Sequence, residues 1–358
     1  MIAAAGATSD TKVLRTAVVG FGKMGLLHAG LASGLPGSDL VAVVDKADTL
    51  LNGFRQQRPE LAGYDDVAKM LDAEKPDAVF ITSPTHLHVP HALECATRGI
   101  PFLVEKPLSP RGRDVEPLRA ALREQPVTNA VGYMARHIGT FAKGRDLIAS
   151  GVLGTFDHLR ATMYVSQLFQ PGKGWRYDKE LSGGGVLVTQ NSHLIDLLLW
   201  IFGPLAAVNG HTKVRYSGVV DDFAHAYLQF ENGLTGYLDT SWSLRHHRMV
   251  DLSIDVHGER GTLTLTDDDV RLFLEEPSAE HPAGWNIWRK PDLFQGVPLD
   301  VGGPEYTLQD AGFLDAVAQQ GTVASNVESA YQVQRTIDAI YESAANGGSR
   351  VLLGEESP

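Results

Sequence analysis

Cysteine is nearly absent from this chain, one in 358 residues, so no internal disulfide can staple it. The lone Cys95 falls in a helical pattern, His91 to Arg98, which suits a buried structural thiol better than a nucleophile. Long apolar runs are missing too. The longest, Leu194 to Phe202, is interrupted by Asp196 and is far shorter than a bilayer span, so no membrane partner is expected. Basic residues are outnumbered, 31 Lys and Arg against 43 Asp and Glu, and the formal charge of −12 argues against nucleic acid as a partner. The stretch Met1 to Asp10 has neither a basic start nor a long apolar segment. Residues 1–12 therefore read as a flexible tail rather than a secretion signal, with a cytoplasmic location as the default. A hydrophobic content of 43% over this length is enough for two domain cores.

What is present begins with an apolar strand, Thr16-Ala-Val-Val, running straight into Gly20-Phe21-Gly22-Lys23-Met24-Gly25 and then into a helix-forming segment. In a Gly-x-Gly-x-x-Gly turn the first glycine permits the tight bend, and the second lets backbone approach a pyrophosphate. The third lets helix and strand pack closely, while the helix N-terminus offers N–H groups to the phosphates. A second apolar strand, Leu40 to Val44, ends in Asp45, about twenty residues beyond Gly25, the offset at which a carboxylate meets an adenosine ribose. The reading is a dinucleotide site. Asp45 predicts NAD, while the neighbouring Lys46 leaves NADP possible.

The first third alternates strands (16–20, 40–45, 78–82, 102–105, 127–132) with helices near 24–33, 48–58, 66–74, 89–98 and 113–123. That alternation predicts a parallel sheet covered on both faces, an α/β Rossmann domain over 13–133. After a helix near 140–150 the pattern changes: a strand near 156–167, a glycine turn, and a helix from Val186 to Phe202. Strands near 206–216, 222–231, 234–243, 249–258, 261–266 and 269–275 then follow without helices between them. This predicts an α+β domain over 134–358 built on a largely antiparallel sheet. Residues 276–306, rich in proline, read as a long loop, and helices near 308–320 and 328–346 close the chain, with the option of packing back on the first domain. The strand Leu234 to Trp242 has two usable faces but only one obvious helical cover, so an open sheet face should drive a homodimer or homotetramer.

Two constellations carry chemistry. Glu105-Lys106-Pro107 sits at the carboxyl end of the strand Phe102-Leu-Val, the edge at which open α/β sheets bind ligands. A lysine there is either a surface residue at a strand exit or a hydrogen-bond donor to a reacting alcohol or carbonyl oxygen. The second is Gly183-Gly-Gly-Val-Leu-Val-Thr-Gln-Asn-Ser-His-Leu-Ile-Asp196, where Thr189, His193, Asp196 and Trp200 share one face of the expected helix. His193 is either a core histidine bonded to Asp196 or a general acid/base oriented by a carboxylate. His86, His88 and His91 lack the companions of a metal site, and His246 and His247 would point to opposite faces of a strand, so no metal is expected. Arg245 and Arg248 could clamp a substrate carboxylate or end a strand in solvent.

Together, the Gly20–Gly25 turn with Asp45, Thr82-Ser-Pro-Thr-His-Leu-His88, Glu105-Lys106-Pro107, Trp175-Arg176 and the triple-glycine helix with His193 resemble the glucose–fructose oxidoreductase, inositol dehydrogenase and rhizopine-catabolism (Gfo/Idh/MocA) family. The resemblance runs from about residue 13 to 353. It implies a Rossmann domain, a second domain on an open-faced sheet, and NAD(P)-dependent oxidation of a secondary alcohol on a sugar, cyclic polyol or sugar derivative, or the reverse. Position by position it implies Lys106 and His193 as catalytic residues. Thr82, Ser83, Pro84 and His88 would lie along the nicotinamide half of the cofactor, Glu105 behind it, and Trp175 and Arg176 would reach in from the second domain. Thr189, Tyr164, Arg176 and Asn191 would contact substrate. At residue 189 many members carry aspartate; threonine supplies no charge and cannot act as a base, which weakens any transfer of inositol specificity. Two further readings fit the same fold: an NAD-dependent glycoside hydrolase and a non-catalytic cofactor sensor. The presence of both Lys106 and His193 speaks against the sensor.

Overall fold

The computed structural model describes residues 12–47, 51–53, 56 and 58–354. The expected tail at 1–12, apart from Lys12, and about half of the expected helix at 48–58 lie outside them. The chain forms two compact units, neither of which is one run of sequence. The first comprises residues up to Glu105, Pro117–Gly132 and Val297–Asn326; the second comprises Lys106–Glu116, Tyr133–Gly296 and the chain from Val327 onward.

In the first unit six parallel strands stand in the order β3-β2-β1-β4-β5-β6. They are β1 (Leu14–Val19), β2 (Ser38–Val44), β3 (Ala62–Tyr64), β4 (Ala78–Ile81), β5 (Phe102–Val104) and β6 (Asn129–Val131). β4 and β5 are wholly buried and read as continuous apolar runs, as strands covered on both faces must. β3 escapes sequence reading because Ala-Gly-Tyr is too short to show any period. The order reverses between β1 and β4, which leaves a crevice at their carboxyl ends. One core cluster unites Val18, Val43, Phe80 and Leu103 of the sheet with Phe313 and Leu314 of the helix Pro304–Ala318.

In the second unit nine strands stand in the order β14-β13-β12-β11-β7-β10-β9-β8-β15. These are β7 (Phe156–Tyr164), β8 (Leu205–Lys213), β9 (Phe223–Phe230), β10 (Thr235–Ser241), β11 (Asp251–Gly258), β12 (Gly261–Thr266), β13 (Asp269–Leu274), β14 (Gly284–Arg289) and β15 (Val351–Leu352). Every pairing is antiparallel except β7 with β10. The expected loop at 276–306 is thus corrected: it contains the edge strand β14 and a turn of 3₁₀ helix, Lys290–Leu293. Pro282 and Pro291 bracket β14 rather than interrupt it, and its Trp-Asn-Ile-Trp alternation was the readable signal. Inward residues such as Leu159, Ala161, Leu238 and Ile254 are fully buried on the face covered by helices. On the opposite face Tyr237 is 61% exposed and its ring lies 5.3 Å from that of Tyr227.

Candidate active site

In the first unit the glycine turn is built by contact. Gly20 has φ +88, and a Cβ there would stand 2.6 Å from the Ser83 nitrogen. A Cβ on Gly25 would stand 1.9 Å from the Gly20 oxygen, so only glycine lets the helix Lys23–Gly34 sit this close. Gly22, by contrast, has open space beside it, and the helix start carries no side-chain cap and no acidic residue. An uncapped N-terminus beside an open glycine fits a pyrophosphate. Asp45 stands at the end of β2, its two carboxylate oxygens accepting the backbone N–H groups of Phe21 (2.6 Å) and Ala47 (2.8 Å). Phe21 itself is a core residue, so backbone alone is its means of meeting a cofactor. Lys23 and Lys46 are exposed and Met24 half-buried.

Past β4, the Thr82 hydroxyl donates to the Gly20 carbonyl (2.5 Å), tying the two strand ends together. His88, nearly buried, donates from Nε2 to the Ser83 carbonyl (2.6 Å). The Ser83 hydroxyl meets His91 Nδ1 at 3.0 Å. Burial, and secondarily His88, pushes His91 down to about 4, so it stays neutral and can accept that hydroxyl hydrogen. Pro84 then leads into the 3₁₀ turn Thr85–Leu87. Ser83, His88 and His91 therefore fix the loop beyond β4 among themselves, while Thr82 ties it to the glycine turn. Glu105, beyond β5, bonds through its N–H to the Ile81 carbonyl at 2.8 Å.

In the second unit Lys106 donates from Nζ to the backbone carbonyl of Thr189 at 2.9 Å. The continuous helix expected over 186–202 is corrected. It is two helices, Val186–Thr189 and Ser192–Phe202, so the four-residue face from Thr189 to Trp200 does not form. The break falls in the polar run Thr189-Gln-Asn-Ser, and the Thr189 hydroxyl donates to the Gly185 carbonyl (2.7 Å), competing with the helix ladder. Buried Asp221 anchors the entry by accepting from the N–H groups of Gly185 (2.7 Å) and Leu187 (3.0 Å) and from the Tyr341 hydroxyl (2.7 Å).

His193 is 9% exposed, with its ring edge-on to Tyr133 at 5.9 Å. Its expected partner Asp196 is engaged elsewhere: Arg136 grips both Asp196 oxygens at 2.8 and 2.6 Å, a bidentate buried pair. His193 Nδ1 is buried without a hydrogen-bond partner, as are both amide atoms of the wholly buried Asn191 and the Ser192 hydroxyl. Burial, and next the charge of Lys106, pushes His193 well below the usual histidine range, so it is neutral at neutral pH. Unpaired buried polar atoms are costly, and four of them on consecutive residues beside Lys106 mark a place where a polar ligand would make up the deficit.

The other expected site residues of the second unit, Tyr164, Trp175 and Arg176, are held as follows. Tyr164 alternates with buried Met163, and its hydroxyl donates to Asp239 (2.8 Å) while its ring rests near His247. That is the face opposite the helices. Trp175 and Arg176 form a 3₁₀ turn in which the guanidinium stacks on the indole at 5.2 Å, with Arg176 exposed. Arg136 and the Thr189 carbonyl were invisible to sequence reasoning, the first because one arginine in a loop has no pattern, the second because it is backbone. Among the described residues no group of three or more His, Cys, Asp or Glu is arranged to hold a metal, and no single helix is long and apolar enough to cross a membrane.

Residues 14–133 match the oxidoreductase family with an NAD-binding Rossmann fold, and residues 141–264 match the GFO/IDH/MocA C-terminal domain. The chain belongs to the Gfo/Idh/MocA oxidoreductases. It is 24% identical to levoglucosan dehydrogenase of Pseudarthrobacter phenanthrenivorans, over 93% of this chain and 96% of that one. It is likewise 24% identical to D-glucoside 3-dehydrogenase of Escherichia coli, over 95% and 97%. Levoglucosan dehydrogenase solved in complex with NADH superposes with a TM-score of 0.85 at 22% identity, covering 96% of this chain and all of the other. As a Gfo/Idh/MocA member the chain is an NAD-binding enzyme of the NAD(P)-dependent sugar and polyol dehydrogenase class, with the two-sheet architecture described above.

Proposed function

We propose that this Gfo/Idh/MocA member oxidises a secondary alcohol on a cyclic sugar or polyol, with Lys106 on the reacting oxygen and His193 as acid/base. The observation that carries this is the pairing of a lysine anchored on the Thr189 carbonyl with a buried, neutral histidine that feels its charge. Bound NAD supplies the acceptor for the hydride, which leaves the alcohol carbon with its bonding electrons. His193 takes the hydroxyl proton while Lys106 donates a hydrogen bond to the oxygen as the carbonyl forms. Asn191 and Ser192, with unmatched polar atoms, suit a polyhydroxylated ligand. Levoglucosan and glucosides, the substrates named for the relatives above, make the first candidates. Incubating the protein with NAD and a panel of anhydro sugars, glucosides, inositols and sugar acids, and following reduced cofactor by absorbance, tests the reading. Absence of reduction across cyclic secondary alcohols defeats it, and glycoside cleavage without net reduction selects the hydrolase.

Asp45 should make the enzyme prefer NAD. Its carboxylate, held rigid by two backbone N–H groups, would repel a 2′-phosphate while accepting from ribose hydroxyls. Fluorescence titration is expected to give NADH at least about tenfold tighter binding than NADPH, and Asp45→Ser should narrow that gap. Equal affinities would remove Asp45 from this role.

The open sheet face should pair with a second copy of the chain. Tyr237, Tyr227 and their neighbours present an aromatic surface that suits closed association. Light scattering at micromolar concentration should return two or four times the 38.7 kDa chain mass. A monomer would refute it.

A further inference from the structure

The second unit carries a charge pattern that the proposed chemistry leaves unused. Three of its connecting segments, 166–177, 213–220 and 242–250, hold six basic residues, Lys173, Arg176, Lys213, Arg215, Arg245 and Arg248. They hold not one Asp or Glu, in a chain whose formal charge is −12. The three segments are joined into one surface. The Ser166 N–H donates to the His247 carbonyl (2.6 Å) and the Gln167 N–H to the Trp242 carbonyl (2.9 Å), which ties the first segment to the third. Buried Asp222 accepts the N–H groups of Arg215 (2.5 Å) and Tyr216 (2.7 Å) and the indole N–H of Trp242 (3.1 Å), which ties the second to the third. Phe169 stands where all three meet. The Arg245 guanidinium lies over its ring at 4.7 Å, and the ring meets that of Tyr216 edge-on at 5.7 Å. The Arg215 guanidinium lies in turn over Tyr216 at 5.1 Å. Among the described residues neither Arg215 nor Arg245 makes an ion pair with a carboxylate. A guanidinium resting on an aromatic face keeps its in-plane N–H groups available, in a fork preset for an oxyanion. His246, next to Arg245, takes φ +74, a left-handed backbone that costs a non-glycine residue energy and that collects at functional sites.

This surface is seated on the reacting end of the same unit. Val165, Leu168, Val220 and Trp242 pack in one cluster with Val186, and the Val186 N–H donates to the Asp221 carbonyl (2.9 Å). Val186 opens the short helix whose last residue, Thr189, holds Lys106 through its carbonyl, about 4.5 Å further along the axis. We propose that the three segments form the subsite for an anionic group, a carboxylate or a phosphate, carried by the sugar or polyol on a carbon other than the one oxidised, with Arg245 as its direct donor. Phe169 is a positioning residue that holds the Arg245 guanidinium, and the remaining cations supply a field of one sign. The inference rests on the reading of Lys106 and His193 as the reacting pair, and it narrows the substrate to acidic sugars.

The test compares three probes that differ only at carbon 6: methyl β-D-glucoside, its 6-phosphate and the corresponding methyl glucuronide. Binding is measured by calorimetry on the full chain saturated with NADH, where an alcohol cannot accept hydride. At low ionic strength at least one charged probe is expected to bind about tenfold tighter than the neutral one, and the advantage should shrink as salt rises. Arg245→Gln should cut that advantage to about twofold or less, and Phe169→Ala, which keeps every charge and removes the ring beneath Arg245, should reduce it about threefold. Arg245→Lys keeps the charge without the fork, should retain part of the advantage, and carries the test if Arg245→Gln does not fold. A preference confined to the phosphate or to the carboxylate probe names the group. Charged probes that do not bind, that bind within about twofold of the neutral one, or that keep their advantage in Arg245→Gln overturn the proposal. None of these results touches the oxidation of neutral cyclic alcohols, which stands or falls on the cofactor-reduction panel.

Discussion

Lys106→Ala is expected to lower kcat by at least about a thousandfold while the dissociation constant for NADH stays within a few-fold of wild type. The lysine is assigned to the reacting oxygen, where a donor aimed at developing charge contributes roughly two to three orders of magnitude alone. It also sits beside His193, and groups that act together lose more than one share when either is removed. The NADH-binding elements belong to the first unit and Lys106 to the second, so cofactor affinity is the control that separates a chemical loss from a folding one. An Ala variant with kcat within tenfold of wild type would move Lys106 back to a strand-exit lysine with a structural bond to Thr189.

His193→Ala should cost about two to four orders of magnitude in kcat, the range for losing a general acid/base. The pH profile gives a second readout. Only neutral His193 can take the hydroxyl proton, and its proton affinity is depressed by burial and by Lys106. Oxidation should therefore hold its plateau from pH 8 down past about 6.5, the unperturbed histidine value, and fall only as pH drops through the depressed value. Reduction, which needs the protonated ring, should gain over the range where oxidation is lost. An acid limb centred at or above about 6.5 in kcat/KM would place another group in control.

Much of this was legible because it depends on local rules. Gly20 and Gly25 are dictated by contacts a Cβ would violate, and Asp45 by the end of an apolar strand, so sequence spacing carried both. The parallel and antiparallel sheets followed from whether helices intervene between strands. What stayed hidden was decided across the chain. Asp196 could as well have met His193, three residues away, and only the fold brings Arg136 to it, sixty residues away in sequence. The break after Thr189 reflects a competition between side-chain and backbone hydrogen bonds that periodicity does not register. His28 and Asp310, hydrogen-bonded at 2.7 Å within the first unit, are 282 residues apart and neither lies in a motif that names the other.

That separation also governs how the first unit can be made. Strand β6 is bonded to the segment 297–326, with the Val131 N–H on the Ser325 carbonyl, the Ser325 hydroxyl on the Val131 carbonyl, and Thr128 on the Gly321 carbonyl. Phe313 from the same segment fills the core edge-on to Phe80. A ribosome that has finished Gly132 must still translate the whole intervening sheet before these partners exist, a delay of roughly ten to forty seconds at ordinary elongation rates. For that interval the nascent first unit keeps an apolar flank and a buried-to-be imidazole, that of His28, without its Asp310 partner. Dividing the gene after codon 133 would therefore separate the unit from part of its own core.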